Sequence, residues 1–219
     1  MQFAISKIEA KAIFYMLFTF EILLIALYLI IKLALHSQMK FFDLDLENNL
    51  PSWFSASQLL VTGLIFILKF RLPNSITNIN PYFFLLLGLG YIFLSLDEAA
   101  SIHEKLNYPL QLISNAMPRF ENDYGVWILP YIIVGCIFLT LTYKSIIALW
   151  KEYRQPTYLM IVGTTIFITG GIIFEILSYK YLRTGATPIA YSLEVAIEEF
   201  FEMFGISVTL YAALQLHSV

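Results

Sequence analysis

The chain has 219 residues, of which 59% are hydrophobic and 13% charged, with a formal net charge of −3. Soluble domains carry about 25% charged residues, so this composition argues against a soluble globular core and for an all-α polytopic membrane protein. The slightly acidic balance supplies no basic field for nucleic acid. Cys136, the single cysteine, excludes an intrachain disulfide and a thiolate metal cluster.

A membrane-spanning helix needs about 20 largely apolar residues. Six segments qualify, at approximately Lys11–Leu35, Trp53–Phe70, Tyr82–His103, Val126–Trp150, Tyr158–Tyr181 and Ile189–Leu216. The first follows Lys7 and Lys11 but outruns the roughly 7–15-residue apolar core of a signal peptide and lacks a small-x-small cleavage site, so it reads as a retained helix. Breaker-rich stretches separate the spans: Asn48-Asn49-Leu50-Pro51, Leu72 through Pro81, Asn107 to Gly125, Gln155-Pro156, and Gly185 to Pro188. Pro81 and Pro188 stand where a helix begins, a position proline tolerates. The expectation is a single polytopic domain, a bundle of about six transmembrane helices surrounded by membrane lipid.

Six spans place both termini on one side. That side carries Lys7, Lys11, Lys69, Arg71, Lys144, Lys151 and Arg154, and the other carries Lys32, Lys40, Lys105, Arg119, Lys180 and Arg183. This near balance leans only slightly toward cytoplasmic termini in a bacterial inner membrane. The acids are far less even. Apart from Glu9, Glu152 and the mid-span Glu21, all of the 16 acids fall on the side away from the termini or in the helix halves nearest it.

A carboxylate in hydrocarbon costs several kcal/mol unless it is paired, protonated or metal-bound, which makes each intramembrane acid a functional candidate. Glu21, in the first span, lies far in depth from the others and calls for a partner helix or a proton. Asp43-Leu44-Asp45-Leu46-Glu47-Asn48 starts like an EF-hand loop, but the turn glycine is missing and position twelve is Phe54, so that reading fails. Its alternation of apolar and acidic residues suggests an interfacial segment over a pocket, where Asp45, Glu47 and Asn48 can add oxygen ligands.

At about 100° per residue, Gly90, Asp97, Ser101 and Glu104 share a face of the third span, flanked by Glu98 and His103. Thr164, Gly171, Glu175 and Ser178 align on the fifth. In the sixth, Glu194, Glu198 and Glu202 form an i, i+4, i+8 staircase, with Glu199 on an offset face beside Glu202. Glu194 to Glu202 covers about 12 Å of helix axis, and Glu175 and Asp97 each lie about 9 Å from the same membrane side. A shared pocket of the third, fifth and sixth spans is therefore expected.

So many carboxylates cannot all stay ionised without compensation. Oxygen donors with one imidazole suit Mn, Fe, Mg or Ca, and Zn where histidine takes part. The expected ligands are Asp97, Glu98, His103, Glu198 and Glu202, with Glu175 and Glu194 as general base or further ligand. The alternative is a structural charge network with Lys105, Arg119, Lys180 and Arg183. No Glu-x-x-His pair marks a ferritin-like dinuclear site, and Ser101 and His103 point to different faces, against a nucleophilic triad. Leu46-Glu47-Asn48-Asn49 and Leu96-Asp97-Glu98 are faintly similar to acidic elements of the membrane hydrolase superfamily that includes alkaline ceramidases. The several histidines its zinc site calls for are missing here, so no family is assigned.

The reading that follows is a metal-dependent membrane enzyme, by default a hydrolase, acting on an amphipathic substrate at the interface. Its rivals are a cation or proton transporter and an accessory subunit whose acids meet partner subunits of a larger membrane complex. Outside the acid-rich half only Thr62, Thr164, Thr165, Thr169, Ser207, Thr209 and Glu21 are polar candidates for a pathway, a thin supply for a transporter.

Overall fold

The computed structural model describes residues 5–71, 79–80, 82–106, 125–182 and 186–217. Arg119, Arg183, Pro81 and most of the Asn107–Gly125 connection lie outside them. Among the described residues the chain consists of helices and short connections, with no strand. The helices are α1 (Lys7–Leu29), α2 (Leu50–Arg71), α3 (Tyr82–Ala100), α4 (Ile128–Glu152), α5 (Arg154–Leu182) and α6 (Pro188–Gln215). Five of them, α1 to α5, are long and apolar enough to cross a membrane. The four glutamates of α6 set it apart from those five.

Local chemistry explains the boundaries. Ser6 opens α1 with a capping box: its hydroxyl accepts the Glu9 N–H at 3.2 Å while Glu9 Oε2 accepts the Ser6 N–H at 2.8 Å. Thr187 caps α6 by accepting the Ala190 N–H at 3.3 Å, with Pro188 in the first turn. Between α4 and α5 only Tyr153 intervenes. Pro156 therefore sits in the opening turn of α5, where its missing N–H costs nothing, and the helix starts ahead of the expected Tyr158. The third helix departs from expectation in the opposite sense. It stops at Ala100 because Ser101 adopts a left-handed φ of 49°, and a further helical turn begins at residue 102.

α6 is the hub, packing on α5, α1 and α2, while α2 also pairs with α3. Two of these contacts bring backbones together. A Cβ at Gly63 would lie 2.8 Å from the Gly88 carbonyl, and one at Gly205 would lie 2.7 Å from the Gly163 carbonyl and 2.5 Å from Phe167 N. Only glycine fits at such crossings. The apolar core forms along α6: Met203, Ile206, Leu210, Ala212 and Ala213 are all at most 3% exposed. α4 packs against α5, touches α3 through Tyr131 and Phe93, and turns Ile133, Val134, Leu139 and Leu141 outward. Outward-facing chains of this kind fit a helix that lies in lipid.

Candidate functional site

The break at Ser101 folds His103 back onto α3. Asp97 Oδ1 accepts the main-chain N–H of His103 at 2.7 Å and lies 3.2 Å from its ring Nδ1. Asp97 thus caps the short turn and orients the imidazole, leaving Nε2 as the free ligand atom. Trp127 packs against the ring with centroids 5.0 Å apart. Burial by itself would lower the pKa of His103. The hydrogen bond and charge of Asp97, with the charges of Glu202 and Glu104, outweigh it and hold the pKa above the ordinary value.

The segment before α2 is strapped down. Asn49 Nδ2 donates to the carbonyls of Asp43 and Leu46 at 2.5 and 2.7 Å, and its Oδ1 accepts the Ser52 N–H at 3.2 Å, which caps α2. Lys32 pairs with Asp43 at 2.8 Å, and the Tyr191 hydroxyl of α6 donates to Asp45 at 2.7 Å. Glu47 is held between these ties with Oε2 buried and without a hydrogen-bond partner. Burial pushes its pKa up; the charge of His103 opposes this, and Glu104 and Asp97 add to it.

From α3, Glu98 lies within electrostatic reach of Glu47, Asp97 and Glu104, with the Ser55 hydroxyl of α2 against it. From α6, Glu199 is in reach of Glu202, Glu98, Glu47 and Glu175. Glu202 is in reach of Glu98, His103, Glu175 and Glu47. Glu198 faces a different set, Glu175, Glu202, Glu194 and Glu199. Two glycines of α5 make room for Glu202: a Cβ on Gly171 would stand 3.0 Å from its Oε1, and one on Gly170 would stand 2.7 Å from its Cγ. Glu175, 7% exposed, sits on a single α-helical turn between π-helical stretches Thr169–Phe174 and Ser178–Leu182. Such bulges recur at functional sites because they re-aim side chains out of register. Glu194 is buried and accepts a hydrogen bond from Ser178 at 3.3 Å.

No described lysine or arginine comes within ion-pair distance of Glu47, Glu98, Glu198, Glu199 or Glu202. Lys105 instead donates to the Ala100 carbonyl at 2.5 Å, and Lys180 lies over the Tyr181 ring at 5.0 Å. Further unpaired polar atoms gather at His103. The Nε1 of Trp127 and the hydroxyl of Tyr131 are buried without partners, like Glu47 Oε2. The Tyr131 hydroxyl faces Asp97 but falls short of hydrogen-bond geometry. Buried polar atoms are rarely left unpaired, so three around one imidazole call for an explanation. Among the described residues no three His, Cys, Asp or Glu side chains lie close enough together to form a ready metal cage.

The expected ligands divide accordingly. Glu202 of α6 is in electrostatic reach both of Glu98 on α3 and of His103 in the turn beyond it. Asp97 is engaged by the His103 main chain and ring, and Glu198 has Glu175 and Glu194 as well as Glu202 in reach. Of α2, sequence reasoning named only Thr62, yet Ser52, Ser55 and Gln58 join it, all at most 8% exposed, in a polar stripe. Their three- and four-residue spacing was a readable signal. Trp127 and Tyr131 offered none, because aromatic residues at a span end ordinarily mark the interface.

No curated protein and no solved structure matches this chain. A family model matches residues 15–217, nearly its whole length. The chain belongs to the family described as a domain of unknown function, DUF8692.

Proposed function

We propose that the chain is a six-span membrane protein in which Glu47, Glu98, Glu199 and Glu202, with His103, hold a divalent cation near one membrane face. We further propose that it uses the cation as a metal-dependent enzyme on an amphipathic substrate, hydrolysis being the reaction class. α6 is the sixth span, tolerated in lipid because its acids face inward, and both termini lie in the cytoplasm of a bacterial inner membrane. The observation that carries the reading is a set of half-buried acids in mutual electrostatic reach with no described lysine or arginine pairing them. Like charges so placed need a cation or shared protons. Glutamate side chains have the torsional freedom to close on a cation from the wider spacing seen here.

A divalent cation in such a site polarises a carbonyl or phosphoryl oxygen and makes water a better nucleophile. The donor set of carboxylates with one imidazole suits Mn, Fe, Mg, Ca or Zn. Asp97 is then a positioning residue that fixes the ring of His103 for ligation through Nε2. Glu175, in reach of Glu198, Glu199 and Glu202, moves protons at the inner edge of the site. Glu194 supports Glu198 from the end nearer the interface. The unpaired Trp127 N–H and Tyr131 O–H supply two donors for a substrate oxygen beside the cation. The strap over residues 40–49 carries Glu47 and forms the lip across which a lipid headgroup enters.

The test uses purified protein in phospholipid vesicles with added Mn2+, analysed both for lipid products and for metal uptake into the lumen. Metal-dependent product formation that is lost in Glu202→Gln, without uptake, is expected. Uptake that is abolished in Glu198→Ala would instead establish a transporter. Co-purification with stoichiometric partner proteins, with neither activity, would establish an accessory subunit.

A further inference from the structure

A second polar site lies where α1, α2 and α6 meet, away from the acids described above. Glu21 of α1 is 0% exposed, Gln58 of α2 is 2% and Ser207 of α6 is 1%. The Ser207 hydroxyl donates to Glu21 Oε1 at 2.5 Å, and Gln58 Nε2 donates both to Glu21 Oε1 at 2.9 Å and to Ser207 Oγ at 2.8 Å. These three contacts use every donor the trio has, the one hydroxyl hydrogen and the two amide hydrogens. Two acceptors, Glu21 Oε2 and Gln58 Oε1, are buried with no hydrogen-bond partner. Thr62, one turn along α2 and fully buried, spends its hydroxyl on the Gln58 carbonyl at 2.8 Å.

The groups acting on the Glu21 carboxyl are Ser207 and Gln58, both neutral. Charged residues of the surrounding helices are occupied or distant. On α1, Lys11 lies over Tyr15 and Lys32 pairs with Asp43. On α2, Lys69 donates to the Leu216 carbonyl at 2.7 Å, and Arg71 lies further along the same end. On α6, Glu202, the nearest acid in sequence to Ser207, is about 7.5 Å away along the axis. No described cation therefore compensates an ionised Glu21, and the site has acceptors to spare.

We infer that Glu21 is a buried proton-binding site, carrying its proton on Oε2 as a neutral carboxylic acid in the folded protein. A single proton removes the uncompensated charge, which is costly in a low-dielectric span. It also adds the donor that the trio lacks. Ser207 and Gln58 hold Oε1, which leaves Oε2 as the protonated oxygen. The site takes a proton rather than a metal because its oxygens come from one carboxylate, one amide and one hydroxyl, with no second anion.

Infrared spectroscopy of the membrane-reconstituted protein at neutral pH tests this directly. The wild type should show a protonated-carboxyl carbonyl band that is lost in Glu21→Gln and kept in Glu9→Gln. Glu21→Gln, neutral and nearly isosteric, should also melt no lower than the wild type. Loss of a carboxylate band instead, together with a melting temperature that rises with Na+ concentration, would overturn the inference in favour of a bound cation. If Glu21→Gln does not fold, Ser207→Ala replaces it. Removing its hydrogen bond should shift the carbonyl band, and an unshifted band would equally sink the assignment.

Discussion

The closest test of the packing that builds the site is Gly205→Ala. A methyl group there would stand 2.5 Å from Phe167 N, 2.7 Å from the Gly163 carbonyl and 2.8 Å from Phe167 Cα. All three are backbone atoms, which no side-chain rotation can clear. Restoring ordinary contact at about 3.4 Å requires α5 and α6 to separate by roughly 0.7–0.9 Å. Overpacking of this kind costs about 1–3 kcal/mol, and in a chain of this size each kcal/mol lowers the melting temperature by about 2–4 °C. Glu202 lies less than one turn from Gly205, and Gly171 about one turn from Phe167, so the separation also opens the acid site. The assay is thermal unfolding in detergent, run beside Gly90→Ala. Gly90 has nothing within 4 Å of its would-be Cβ, and alanine there should stabilise the helix by about 0.5–1 kcal/mol. A Gly205→Ala protein that melts with the wild type, or a Gly90→Ala protein that melts as far below it, would refute the helix pairing.

Three further outcomes follow from the site. His103 has a raised pKa in the folded chain, so its stabilising proton is fully in place below the unfolded value of about 6.5. That stability is lost as pH rises through the folded pKa, and chelator-treated protein should melt progressively lower above neutral pH. Asp97→Asn should flatten that slope; an unchanged slope would count against the Asp97–His103 pair. Tyr191→Phe removes the tie to Asp45 and should speed hydrogen exchange over residues 43–49 while global melting falls by about 1 kcal/mol or less. Glu199→Gln should weaken Mn2+ binding more than Glu198→Gln does, because Glu199 faces Glu98 and Glu47; the reverse order would favour the staircase of Glu194, Glu198 and Glu202.

Apolar runs and prolines made the helices legible, because a span needs a length of hydrophobic sequence and little else. Their edges were less so. The end of α3 depends on the left-handed Ser101, a conformation that no residue type other than glycine advertises. With a continuous helix Asp97 and His103 point apart; only the break lets one cap the other. Helical phase grouped Glu198 with Glu202, but Glu199 on the offset face is also in electrostatic reach of Glu98 and Glu47, and on α5 Glu175 sits between π-helical stretches. A period of 3.6 residues cannot anticipate such bulges. The placement of Glu47 rests on the Asn49 and Tyr191 ties, long-range contacts absent from any local pattern.

Metal content tests the central claim most directly. Protein extracted in mild detergent and passed through a desalting column should retain a stoichiometric divalent metal by elemental analysis. Glu98→Gln and Glu202→Gln should lose it, while Glu9→Gln, outside the site, keeps it. A folded wild-type chain without metal, or variants that hold as much as the wild type, would contradict the account.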